Sequence, residues 1–521
     1  FVSSGPTENI QAASGRNIVP STSERSPIAW LAVLVLAAVL PYLNVLANGF
    51  VYDDHTQVIN NPYLQSFGHL REIFSTTVWS YVGAQGVTNY YRPMMTFGYL
   101  LCYQVFGPLA YGFHLASLLI HAGVVCLLFF GTLRMTGHRL WAFIAAALFA
   151  LHPIHTESVA WIAAVTDLQL TFFYLLTFFF FLGVAGPGGG REARMQLAMA
   201  GSFVMTLLSK EQSLTLPVLA TAYEHLLRED RHATTKGQKL GRYYLLWMLS
   251  GAYLYFRVRF FGALAPVLQI SDLTWGQTIL SAISLVGQYM GKLLWPAELC
   301  AFYVFRRSVS LLDPRVLAGF GTLVLLVALF VLLWRRARLA AFAILWLMVT
   351  LAPVLNARWM AANVFTERYL YLPSVGFCWL AAWGWVRLSE MTAEGPTPRR
   401  KALVGVLLVV CALYAVRVVA RNRDWSDDVT LYGKTLQLSP DAYHIRNNLG
   451  TVLWKQGKIE EAEREWQAAL ALSPRNAIVL NNLGLVRTHQ KRYEEAVDLL
   501  SRATRLKPNY TDTHLNLGAV C

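Results

Sequence analysis

The chain has 521 residues, of which 55% are hydrophobic and only 14% charged, with a mean hydropathy of +0.41. A soluble domain carries roughly a quarter charged residues, so this composition excludes an ordinary soluble globular protein. The formal net charge of +14 does not call for nucleic acid, because a membrane protein holds its Lys and Arg in cytoplasmic loops.

In chain order, residues 1–27 are rich in Ser, Pro and Asn and read as a disordered cytoplasmic tail. No cleavable signal peptide precedes the first apolar block, Ile28–Leu46, which therefore reads as an uncleaved anchor. A long polar and aromatic stretch, 47–111, follows it as an external loop. Further apolar blocks lie near 112–133, 140–151, 168–185, 195–208, 212–227, 243–261, 315–334, 339–355, 369–386 and 402–420, which makes eleven crossings. A helix needs about 20 residues to cross a bilayer, and these blocks meet or approach that length. Six cysteines (Cys102, Cys126, Cys300, Cys378, Cys411 and Cys521) are scattered along these blocks with no CxxC pair, so no disulfide framework or zinc site is implied.

Loop charge sets the orientation. The gaps between spans two and three, four and five, six and seven, eight and nine, and ten and eleven hold sixteen Lys and Arg; the opposite gaps hold seven. The richer set is cytoplasmic, which places the N-terminus inside and the C-terminus outside. That alternation survives only if a further apolar segment, 277–296, does not cross. It reads as an interfacial or re-entrant helix ending on the outer side at Trp295-Pro296.

From about residue 425 a period of 34 appears: Asn448, Asn482 and Asn516; Gly450, Gly484 and Gly518; Ala462 and Ala496; Ala469 and Ala503; Pro440, Pro474 and Pro508. Small residues where paired helices touch, with Pro closing each unit, mark tetratricopeptide repeats. The expected organisation is therefore all-α: a transmembrane bundle over 28–424, then a repeat solenoid over 425–521 on the outer face. The solenoid holds a half repeat, two full repeats and the start of a third.

Ionisable residues at membrane depth are functional candidates by default. Val51-Tyr52-Asp53-Asp54-His55 places two adjacent carboxylates just beyond the first span. They could deprotonate a hydroxyl or help hold a divalent cation, and the bland alternative is a solvated turn or helix cap. Arg92, then His152, His155 and Glu157, then Asp167, Lys210 with Glu211, and Glu367 with Arg368 and Tyr369 all fall at outer ends of spans. The orientation was fixed from loop charge alone, so this agreement argues for one outward-facing site. His152, His155 and Glu157 imitate a metal site, but their spacing around Pro153 fits no standard zinc pattern, and metal dependence stays open. His114 and His121, seven residues apart, read as interhelical hydrogen-bonders.

These motifs, together with Tyr91-Arg92-Pro93, His152-Pro153-Ile154-His155-Thr156-Glu157, Leu208-Ser209-Lys210-Glu211-Gln212, Glu367-Arg368-Tyr369-Leu370-Tyr371-Leu372-Pro373 and Arg421-Asn422-Arg423-Asp424-Trp425, resemble the transmembrane and tetratricopeptide-repeat (TMTC) O-mannosyltransferases. The resemblance implies a GT-C glycosyltransferase fold and transfer of mannose from a dolichyl- or polyprenyl-phosphate donor to Ser or Thr hydroxyls of a protein recruited by the repeats. It implies that the acidic pair is essential, with one Asp as general base, here Asp53 or Asp54. Arg92, Lys210 and Arg368 are the candidates for the donor phosphate, on charge and position. The other residues, His152, His155, Glu157, Asp167, Glu211, Glu367 and Tyr369, would support them. The compact Ala/Leu/Arg-rich repeats fit a bacterial relative as well as an animal one, so the membrane is that of the endoplasmic reticulum or a bacterial inner membrane, with loop and repeats on the lumenal or periplasmic side. A non-catalytic membrane scaffold is the competing reading. It has no need of carboxylates beside the membrane.

Overall fold

A computed structural model describes residues 27–82, 90–184, 190–262, 273–358, 360, 363–391 and 398–521. The expected tail lies outside this set apart from Pro27, which opens the first helix. Among the described residues there are helices and irregular connections, with no strand. In lipid each backbone N–H must find its acceptor within its own segment, and uninterrupted runs of Leu, Ala, Val and Phe do this as helix.

Six helical stretches are long and apolar enough to cross a membrane: Ile28–Ala47, Ala110–Thr136, Ile162–Gly183, Pro314–Arg336, Arg338–Leu355 and Pro398–Trp425. A seventh forms if Arg139–Leu151 and Pro153–Ala160, bent by 52° at His152, count as one broken span. The other expected spans fold as helices of a different character. Leu216–Leu226 is only 11 residues long, and Lys236–Phe261 opens on Lys and Arg. The chain is an integral membrane protein, all-helical among the described residues, and six or seven of these helices have both the length and the apolarity of a crossing.

One segment narrows an expectation and another departs from it. Trp275–Leu294, expected as an interfacial or re-entrant helix, is one unbroken helix of 20 residues, begun by a Thr274–Gln277 capping box; a re-entrant segment would turn back on itself. It lies flush on Pro314–Arg336, where Gly287 faces Gly319 and a Cβ on Gly319 would come within 2.0 Å of the Ile283 carbonyl oxygen. The loop 47–111 contains a 14-residue helix, Pro93–Phe106, which packs against Ala110–Thr136 and Val165–Gly183. Its Tyr, Cys and Gln content disguised it as loop.

What positions the site is where the helices stop. Pro153, the Ser209-Lys210 step and the run to Pro373 each interrupt an apolar helix and leave polar side chains at its end. These ends are tied together. Met94 N–H donates to the Leu208 carbonyl at 3.3 Å, and Tyr99 Oη to that of Ile162 at 3.1 Å. The first and last spans are joined through Asn side chains: Asn44 donates to the Val419 carbonyl, Asn48 to that of Asn422, and Asn422 to that of Pro41.

Beyond the last span six further helices follow, Asp428–Leu438, Tyr443–Lys455, Ile459–Leu472, Ala477–His489, Tyr493–Leu506 and Thr511–Val520. The 34-residue period is visible in their packing. Ala462, Ala469, Ala496 and Ala503 are fully buried; Trp466 fills the space over Gly450, and Leu500 that over Gly484. One apolar core runs from Leu34 in the first span through Trp425 to Val486 in these helices.

Candidate functional site

Cations and carboxylates from six helix ends converge on one buried cluster. Lys210, in extended backbone between two helices, places Nζ 2.5 Å from Asp167 in the first turn of Val165–Gly183, with both side chains almost wholly buried. Glu211 carries two arginines, Arg92 at 3.2 Å and Arg257 at 3.0 Å. Arg368 binds Glu157 through Nη1 at 2.5 Å and through its backbone N–H at 3.0 Å. The Tyr369 ring joins the halves, lying 4.8 Å from Lys210 Nζ and 5.4 Å from the Arg368 guanidinium, and Tyr90 lies under Arg92 at 4.9 Å.

The electrostatics follow from burial with many charges at short range. Burial pushes Lys210 down to about 8 against the pull of Asp167. Burial alone would raise Glu211, but Arg92 and Arg257 overcome it and bring the carboxyl to about 2. The result is a fixed array of Arg92, Lys210, Arg257 and Arg368, held in place by carboxylates and aromatic faces. Such an array suits a phosphate, because guanidinium groups match its oxygens bidentately while the ammonium adds a point charge.

The adjacent aspartates have different surroundings. Asp54 is fully buried and spent on structure, accepting the backbone N–H of Val51 at 3.0 Å and of Ala163 at 2.8 Å. Asp53 is half-buried, and among the described residues its carboxylate makes no hydrogen bond or ion pair. Burial raises it to about 6, with Arg368 acting in the opposite direction. It is therefore an available base near neutral pH, on the Arg368 side of the cluster. Trp161 packs against both segments, with Arg368 at 4.8 Å from its ring and the Tyr52 ring at 5.7 Å.

The remaining predicted residues stand outside this cluster. His152 donates to the Leu293 carbonyl and accepts from Ile154 N–H; His155 bonds the Phe149 carbonyl and Ser374. Both are fully buried corner ties around Pro153 rather than groups facing the cations. His121 joins Tyr371 and the Ala150 carbonyl across helices, as its spacing suggested. Glu367 turns away from its neighbour Arg368 toward Tyr303 Oη at 2.6 Å and Arg421 at 3.7 Å, and burial lifts it to about 7. Tyr303 also lines a cavity of about 220 Å³ with Arg306, Phe365 and Ser439–Asp441, between the membrane domain and the first repeat helices. No group of three or more His, Cys, Asp or Glu suited to a metal ion occurs among the described residues.

Arg257 was missed in the sequence. It sits in the last turns of Lys236–Phe261, inside an apolar block, and the rule that flagged the other ionisable residues at helix ends applies to it equally.

An all-helical membrane domain with a buried cation cluster at its helix breaks is thus joined to stacked helical hairpins, and residues 418–511 match the tetratricopeptide repeat model. Most of the chain is similar to curated protein O-mannosyl-transferases. One from Caenorhabditis elegans is 27% identical over 84% of this chain and 62% of its own length. TMTC3 of Mus musculus is 27% identical over 83% and 50%, and TMTC4 of Homo sapiens 26% identical over 86% and 67%. The chain thus spans half to two thirds of the length of these relatives. A solved structure, ArnT from Cupriavidus metallidurans bound to undecaprenyl phosphate, aligns over 91% of this chain and 80% of its own at 16% identity, with a TM-score of 0.39, too low to argue a shared fold.

Proposed function

We propose that the chain is a membrane glycosyltransferase that moves a sugar, mannose by likeness to its relatives, from a dolichyl- or polyprenyl-phosphate donor to a Ser or Thr hydroxyl of a protein. The observation that carries this reading is an unbonded carboxylate, Asp53, near Arg368, which belongs to a buried array of four cations. Asp53 takes the proton from the acceptor hydroxyl as its oxygen attacks the sugar anomeric carbon. The bond from that carbon to the phosphate oxygen breaks, and the lipid phosphate leaves. Arg92, Lys210, Arg257 and Arg368 hold the phosphate and stabilise the charge that grows on it as it departs. Asp54 fixes the loop backbone, and Asp167, Glu211 and Glu157 fix the cations.

The transmembrane module spans 28–424 with about eleven crossings, and the loop and repeats share the lumenal or periplasmic side. Acceptor polypeptide held on the repeats enters past the cavity at Tyr303 and Ser439. A scaffold has no use for a buried cation cluster facing an unbonded carboxylate. Purified chain incubated with radiolabelled lipid-phosphate-mannose and a Ser/Thr peptide tests the reading: label enters the peptide if it holds, and none enters above a no-protein control if the chain is a scaffold.

A further inference from the structure

The first repeat helix reaches back to the aspartate loop. Asp427 is the N-cap of Asp428–Leu438, its carboxylate accepting Thr430 N–H, so Asp428 is not needed for capping. The Asp428 carboxylate instead faces the membrane module. Its Oδ1 accepts Tyr52 N–H at 2.8 Å, and its Oδ2 lies 2.8 Å from His55 Nε2. Tyr432, one turn along the same helix, packs edge-on against the Tyr52 ring at 6.1 Å.

Tyr52 has φ +53°, in the left-handed region. A bulky aromatic residue rarely adopts that conformation, and it persists only where the surroundings enforce it. Two successive backbone amides are fixed here by carboxylates, Val51 by Asp54 from within the loop and Tyr52 by Asp428 from the repeats. The residue that follows this doubly held turn is Asp53, whose own carboxylate stays unbonded among the described residues. Neighbouring contacts reinforce the join, with Gly49 N–H donating to the Ser426 carbonyl at 2.9 Å.

We infer that Asp428 is a positioning residue for Asp53, and that the first repeat helix is therefore a structural element of the catalytic site as well as the start of an acceptor-recruiting arm. This rests on the reading of Asp53 as the base. The aspartate turn is held open to the acceptor only while the helix after the last span is docked on it.

The test uses the full chain, lipid-phosphate-mannose and a short Ser/Thr peptide, with kcat and both KM values measured for Asp428→Ala, Asp428→Asn and Asp428→Glu. Asp428→Ala is expected to lower kcat by about 10- to 100-fold, the range that a displacement of about 1 Å produces, with donor and acceptor KM changed less than about twofold. Asp428→Asn keeps an oxygen for Tyr52 N–H and should retain most of kcat. Asp428→Glu keeps the charge but not the reach, and should fall below Asn. An unchanged kcat in Asp428→Ala, a change confined to acceptor KM, or Glu outperforming Asn overturns the inference; the Asn and Glu comparison decides the matter if the Ala variant does not fold. Asp53→Asn in parallel separates the two levels. If it turns over like wild type, the base assignment falls and the positioning role with it. If it is inactive while Asp428→Ala is unimpaired, only the positioning role falls.

Discussion

Arg368 and Glu157 show how costly the site is to build and how it can be probed. Glu157 is fully buried and receives both the guanidinium and the backbone N–H of Arg368. Removing one partner of such a pair leaves an uncompensated buried charge, at about 3–5 kcal/mol, whereas removing both charges costs less. Arg368→Gln is therefore expected to lower the unfolding midpoint strongly, and Arg368→Gln with Glu157→Gln to recover some of the loss, although both abolish donor binding. A double variant no more stable than the single one contradicts the pairing. The two shifted groups give a pH profile of defined sign. Asp53 must be ionised to act as base, so kcat rises with pH through about 6. Lys210 must be protonated to hold phosphate, so donor KM rises as pH passes about 8. Much of this was legible in the sequence, because an ionisable residue at the end of an apolar run has few uses other than function. The division of labour between Asp53 and Asp54 was not, since it depends on the Val51 and Ala163 amides reached only in the fold. Arg257 was hidden by its apolar neighbours.

The helix breaks matter more to the site than the helices do. The bend of 52° between Arg139–Leu151 and Pro153–Ala160 carries Glu157 inward, and the step at Ser209-Lys210 delivers two charges to one place. Proline and polar residues inside apolar blocks signalled both. Helix Pro93–Phe106 was not legible, because its 14 residues fall short of a crossing and sit within a stretch that is otherwise polar. Nor was the seating of Trp275–Leu294 on Pro314–Arg336, which depends on two glycines 32 residues apart, Gly287 against Gly319. Gly319→Ala forces a methyl into the Ile283 carbonyl, and strain of this kind costs about 1–3 kcal/mol. The variant should unfold at lower temperature while donor KM stays at the wild-type value. Unchanged thermal stability would mean these two helices do not pack so closely.

At the scale of the molecule, the repeat period and the apolar blocks made an all-helical membrane protein with repeats legible, while the orientation drawn from loop charge, with the aspartate turn and the repeats in one compartment, is a proposal to be tested. Cysteines introduced at the exposed positions 60 and 494 should both react with an impermeant thiol reagent from the lumenal or periplasmic face, and one at 237 should not. Reaction of 60 and 494 from opposite faces would separate base from acceptor. The continuous core from Leu34 to Val486 and the Asp428 contacts bind the repeats and the membrane domain into a single unit, a feature that sequence periodicity, which is local, cannot express. The most direct test of the whole account is sugar transfer from lipid-phosphate-mannose to a Ser/Thr peptide by wild type and Asp53→Asn at pH 7. Loss of a general base should cut the rate by about 100- to 10,000-fold with the protein still folded and donor still bound. Equal incorporation of label by the two proteins would contradict the account.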